Sequence, residues 1–300
     1  KEAHRSLGTI YNLGVFLSRF HGSPHKPIIP DDASLSTEDM WLLSRLSATC
    51  EACENAFEAH RPHAAAKAIR EFLIEDISRF YMKTAKARID GQGEACIAMA
   101  VLYHAIFEGL RLLTPIAPFI SESVYQSFYR KYEGKASISL FAWPTSDKRR
   151  RDFLLEKRFE IARQIATAAA SCRQKAGIPL RWPVEEVRVV SESTEVLSAV
   201  EHLSGLVESL SNARAARSAK QPRTEVSFAI NKAKVGAAFK RDSPSALSAL
   251  EKMPPAQIAA WISGEEKEFL ADGKFAIARD MVELQEKAEG FSISRFEGGK

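Results

Sequence analysis

"AIREFLIEDISRFYMKTAKAR", Ala68 to Arg88, carries two helical rhythms at once. Ile69, Phe72, Leu73, Ile77, Phe80 and Tyr81 recur at steps of three and four, which puts them on one face of a helix. Arg79, Lys83 and Lys86 recur at the same steps beside that stripe. One face is therefore built for a core, and another offers cations to an anionic partner. The apolar stripe assigns Phe80 and Tyr81 to packing. Arg79 lies four residues after Glu75, the spacing of a helix-face ion pair, so Glu75 competes with any outside anion for it. Pro62 suits a first helical turn and "GQG" at 91–93 an end, so the spacing predicts a helix over Pro62–Ile89.

The same rhythm continues on both sides. Residues 2–20 form an amphipathic helix, followed by the Pro-rich linker "HGSPHKPIIPDDASLS". Ser36 is placed to cap a second helix, which runs to about Ala59 and has acids in its first turn. Further helices are predicted over 94–113, Pro118–Tyr132 and Asp152–Ala176, with "KASISLFAWP" extended between the last two. Long helices with short connections make an antiparallel bundle. The texture changes after "KAGIPLRWPV", Lys175–Val184. There "EVRVV" and "TEVSFAI" read as strands, "TEVLSAVEHLSGLVESL", "SPSALSALEKM" and "PPAQIAAWI" as helices, and "DMVELQEKAEGFSISRF" as two strands around Glu289-Gly290. The expected fold is mainly α: a helical bundle over 1–183, then a small mixed α/β subdomain over 184–300. In the connecting stretch, Gly177 and Pro179 should end the long helix and Trp182 should pack against the bundle.

Of 300 residues, 45% are hydrophobic and 27% charged, and the formal net charge of +4 does not by itself declare a nucleic-acid binder. The distribution says more. Lys148–Arg151 form a run, Arg173, Lys175 and Arg181 bracket the connecting stretch, and Arg214, Arg217, Lys220 and Arg223 follow. Cations with nearby aromatics suit RNA, although a charge run is more often a solvated face. No catalytic constellation is present. The chain has neither G-x-x-x-x-G-K-[ST] nor G-x-G-x-x-G after a strand. Cys50 and Cys53 make half of a zinc pattern, but both fall on a helix without a second pair, so no metal site is expected. Four cysteines without a disulfide framework favour a reducing compartment, and no apolar run approaches a membrane span.

Several stretches together resemble the class I aminoacyl-tRNA synthetases for isoleucine, valine and leucine, in the part that follows their catalytic domain. "DMWLLSRL" (39–46), the Ala68–Arg88 helix, "LLTPIAPFISESVYQSF" (112–128) and "SISLFAWP" (137–144) match in order and spacing. "RQKAGIPLRWPVEEVRV" (173–189) is similar to the isoleucine branch, in its archaeal and eukaryotic form. "FAINKAKVGAAFKRD" (228–242) and "GFSISRFEGG" (290–299) follow it more loosely. The resemblance implies an anticodon-binding segment of a cytoplasmic ligase. The family's nucleotide-binding signatures, with their ATP and Mg, would lie elsewhere in the parent, and this segment would hold no cofactor. The implied partners are isoleucine tRNA, through its anticodon stem and loop, and the parent's own catalytic domain, with no membrane. The residues expected to meet the RNA are Arg79, Lys83, Lys86, Arg88, Arg173, Lys175, Arg181 and Trp182. The valine and leucine branches, and a non-catalytic docking module, remain alternatives.

Overall fold

The computed structural model describes residues 2–18, 26–30, 32–90, 95–219, 225–254, 257–258, 261, 268–271, 275–287, 294 and 296. The chain divides into two compact units, Lys1–Ile161 and Ala162–Lys300.

The first unit is helical. It contains α1 (Glu2–Ser18), α2 (Thr37–Glu58), α3 (Pro62–Arg70), α4 (Met82–Thr84), α5 (Lys86–Asp90), α6 (Ala95–Leu113), α7 (Pro118–Val124), α8 (Arg130–Glu133) and the start of α9 (Phe153–Lys175). The cap expected at Ser36 is present. Its hydroxyl accepts from the Asp39 N–H, and the Asp39 carboxylate accepts from the Ser36 N–H, a reciprocal capping box. His60, with φ 55°, sits in the turn that brings α3 back onto α2. Pro118 opens α7 at its first position, as expected.

The predicted helix over Pro62–Ile89 is one helical run with a different pitch inside it. Between α3 and α4, Glu71–Tyr81 winds as a π-helix, and the run bends at Ala85 before α5. The stripe nonetheless holds, with Ile69, Phe72, Leu73, Ile77, Phe80 and Tyr81 all buried. Phe72, Ile77 and Met82 are spaced by five, which suits a turn closed by i to i+5 bonds. A second π segment, Tyr125–Tyr129, joins α7 to α8. The core has two aromatic clusters. Trp41 stacks on Phe159 at 5.0 Å, with Phe80 edge-on to both. Phe107 stacks on Tyr129 at 5.1 Å and meets Phe141 edge-on. The supposedly extended "KASISLFAWP" contains a 3-10 turn at Ile138–Leu140. Within α6, the window Cys96–Leu113 is long and apolar enough to span a membrane, but 72% of it is buried inside the protein, which marks a core helix.

The second unit mixes helices and strands. Parallel strands β1 (Val184–Val190) and β2 (Ala213–Ala219) are joined by α10 (Thr194–His202) and α11 (Ser204–Ser211), with Val184 opposite Ala213. β3 (Glu225–Ile230) pairs antiparallel with β6 (Val282–Lys287), and β4 (Glu268–Ala271) with β5 (Phe275–Ala278). Two further helices, α12 (Lys232–Phe239) and α13 (Ser243–Glu251), share a core of Val235, Ala246, Leu250, Ile258, Trp261, Ile277 and Val282.

The mixed helices and strands expected after residue 184 are present, and the differences lie in single elements. β2, "ARAARSA", has no branched or aromatic residue and gives no strand signal; pairing with β1 makes it a strand. α12, β4 and β5 were not anticipated. The change of texture at 184 marks the first strand, while the compact division falls earlier, inside α9. "GQG" at 91–93 and residues 288–293 of the expected last hairpin lie outside the described residues.

Candidate nucleic-acid interface

The expected contact residues fall into three groups. Lys83 and Lys86 follow the π segment and are exposed. Arg79 is exposed as well, but its Nη1 donates to both Glu75 oxygens at 2.8 and 2.9 Å, the ion pair that the spacing anticipated. A surface pair of this kind contributes about 0.2–1 kcal/mol, little enough for a phosphate to displace the carboxylate.

Arg88 is a correction. Its Nη1 and Nη2 donate to Asp39 at 2.9 and 2.8 Å, a two-pronged bond to a fully buried carboxylate. The Tyr81 hydroxyl donates to the same carboxylate at 2.5 Å. Burial alone would raise the Asp39 pKa; the bonds from Arg88 and Tyr81 outweigh it and hold the carboxyl below its usual value. Arg88 therefore fastens α5 to the start of α2 and is not a spare cation. Asp39 was legible only as an acid in the first turn of α2, because nothing local shows that Tyr81 and Arg88 converge on it.

Arg173 is the second correction. It is 6% exposed, and its Nη2 donates to backbone oxygens of Pro179 at 2.9 Å, Leu180 at 3.2 Å and also Trp182. It binds a loop, not a phosphate. Trp182 corrects the expectation of burial, since it is 60% exposed. Lys175 and Arg181 are exposed as well, and Arg181 is the chain neighbour of Trp182. The second unit thus keeps an open indole next to one exposed cation. Lys220 and Arg223 lie outside the described residues.

In the run at 148–151, Arg149 and Arg150 pair with Asp147 at 3.2 and 3.7 Å, and Arg151 pairs with Glu156. Glu156 also accepts from Arg45 at 3.2 Å and from the Ser44 hydroxyl at 2.5 Å, so Arg151 helps to secure the start of α9 while Arg149 and Arg150 pair within their own turn. Sequence reasoning also missed a cleft of about 990 Å³ in the first unit, lined by Tyr103, His104, Phe107, Glu108, Arg111 and Trp143 among others. Burial, followed by the nearby cations Arg150, Lys26 and Arg111, pulls the His104 imidazole down to about 4.

The Cys50 and Cys53 thiols are buried. Burial pushes Cys50 up to about 12 and Cys53 up to about 11, which keeps both protonated at neutral pH. Among the described residues no group of three or more His, Cys, Asp or Glu could hold a metal ion.

A family profile described as the anticodon-binding domain of tRNA ligase matches residues 39–189. The chain belongs to this family. The anticodon-binding match begins at the buried Asp39 and ends within β1. An isoleucine–tRNA ligase of Thermococcus kodakarensis is 31% identical over 100% of this chain and 28% of its own length. That of Pyrococcus abyssi is also 31% identical, with the same coverage. That of Saccharolobus solfataricus is 30% identical over 98% of this chain and 31% of its own length. The chain therefore spans under a third of the curated relatives it matches.

Proposed function

We propose that this chain grips the anticodon stem and loop of an isoleucine tRNA, as one part of a longer isoleucine–tRNA ligase. The observation that carries this reading is the anticodon-binding match over 39–189, together with the names of relatives aligned along the chain. Lys83 and Lys86, with Arg79 once released from Glu75, would meet phosphates in the first unit, and Lys175 and Arg181 in the second. Such contacts set register on the RNA, while bases are read by stacking and by their edges.

The whole ligase would be cytoplasmic. It would attach isoleucine to its tRNA with ATP and Mg, and would clear misactivated valine, since one missing methylene gives only about 1–3 kcal/mol of discrimination. Its catalytic domain would be a further partner of this chain. The residues here do not fit ATP or Mg: the sequence has no phosphate-cradling loop, and the described residues have no carboxylate cluster for a cation.

The test is binding of the protein to isoleucine tRNA and to an unrelated tRNA over a range of salt. Preference for isoleucine tRNA is expected. Equal affinity at every salt concentration would reduce the surface to a nonspecific cation patch.

A further inference from the structure

The corner Gly177–Pro183 lies at the surface, yet it is tied down from several sides. α9 ends in a Schellman turn. The Gly177 N–H, at φ 69°, donates to the Gln174 oxygen at 3.1 Å, and the Ile178 N–H donates to the Arg173 oxygen at 2.9 Å. The buried Arg173 then collects the oxygens of Pro179, Leu180 and Trp182 on one nitrogen. The Asn212 side chain donates to the Leu180 oxygen at 2.8 Å, and the Trp182 N–H to the Pro179 oxygen at 3.1 Å. Pro179 and Pro183 fix their own φ angles.

The Schellman turn is an ordinary helix end; the bonds from Arg173 and Asn212 to the loop go beyond it. The anchoring has two effects on the outer face. It turns three backbone acceptors inward, so the surface loses the oxygens that would repel an anion. It also ties the buried Arg173 guanidinium, a fixed positive charge, to the backbone of the same loop. What remains outside is the Trp182 ring, 60% exposed, flanked in the chain by the exposed Arg181 and Leu180, with Ile178 also open to solvent. A fixed aromatic face on an electropositive base matches an unpaired nucleotide, which carries a flat π surface and one negative charge.

We propose that this corner is a preformed platform for one unpaired base of the bound RNA. Trp182 lies under the base, Arg181 meets the flanking phosphate, and Arg173 is a positioning residue that holds the loop in shape. The inference rests on the tRNA reading above.

The test is the affinity of the protein for isoleucine tRNA, at several salt concentrations, for the wild type, Trp182→Ala, Trp182→Phe, Arg181→Gln, Arg173→Gln and the Arg173→Gln/Trp182→Ala pair. Loss of stacking in Trp182→Ala should weaken binding at least about fivefold with an unchanged salt slope, and Trp182→Phe should retain most of the affinity. Arg181→Gln should flatten the slope by roughly 0.7, the share of one single-strand phosphate. Arg173→Gln should lose as much as Trp182→Ala, and the pair no more than either alone, a coupling that general destabilisation would not produce. If Arg173→Gln does not fold by circular dichroism, the exposed Trp182 and Arg181 variants decide alone. A wild type that shows no tRNA preference would sink the functional reading itself. A wild type that does prefer it, with Trp182→Ala binding equally well, would overturn the platform alone and give the corner to a protein contact.

Discussion

His104, through its burial, and Asp39, through its bonds from Arg88 and Tyr81, make the fold sensitive to acid over two separate ranges. The folded pKa of His104 is lowered from 6.5 to about 4, so the native state refuses a proton that the unfolded chain accepts. Its contribution to stability is complete above about pH 6.5 and is lost as pH falls toward 4. Thermal unfolding midpoints should therefore drop over that window, and His104→Gln should remove most of that slope. Asp39 acts lower. Its folded pKa lies below 3.8, so its contribution persists above that value and disappears as pH falls through the folded pKa. Arg88→Ala would strand the carboxylate in the core and should cost about 3–5 kcal/mol in denaturant unfolding. An equal loss of tRNA affinity without loss of stability would return Arg88 to the RNA contacts. The exposed cations Lys83, Lys86 and Arg181 were legible because long charged side chains remain in water unless something captures them. Arg88 and Arg173 looked the same in the sequence. What captures them is a carboxylate 49 residues away and a set of backbone oxygens, neither of which has a local signature.

At the scale of elements, α1 is held by a close approach. A Cβ on Gly14 would lie 2.5 Å from Phe128 Cδ2 and 2.9 Å from Val124 Cγ1. Gly14→Ala should therefore cost about 1–3 kcal/mol by overpacking, read as a shift in the denaturant midpoint. An unshifted midpoint would mean that α1 does not seat there. Helix positions were legible almost throughout the first unit, since capping residues, prolines and apolar spacing agree at Ser36, Pro62 and Pro118. The π pitch was less so, because Phe72, Leu73 and Ile77 satisfy steps of four and five equally well. β2 was hidden for another reason. Its seven residues are Ala, Arg and Ser, and only a partner elsewhere in the chain makes them extended.

At the scale of the whole molecule, the net charge is a poor guide to RNA binding and the arrangement of charge a better one. With the five cations Arg79, Lys83, Lys86, Lys175 and Arg181 on phosphates, the logarithm of tRNA affinity should fall with the logarithm of salt at a slope of about −4. A slope near zero would remove phosphate contact from the account. The parallel β1–β2 pair also sets an order of events during synthesis. β1 cannot pair until about two dozen further residues have been made, because β2 begins only at Ala213. At about 5–20 residues per second the ribosome takes roughly one to five seconds over that stretch. For that interval a strand containing Val184, Val187, Val189 and Val190 has no partner, so the nascent chain is most open to aggregation or chaperone capture just after α9 has emerged.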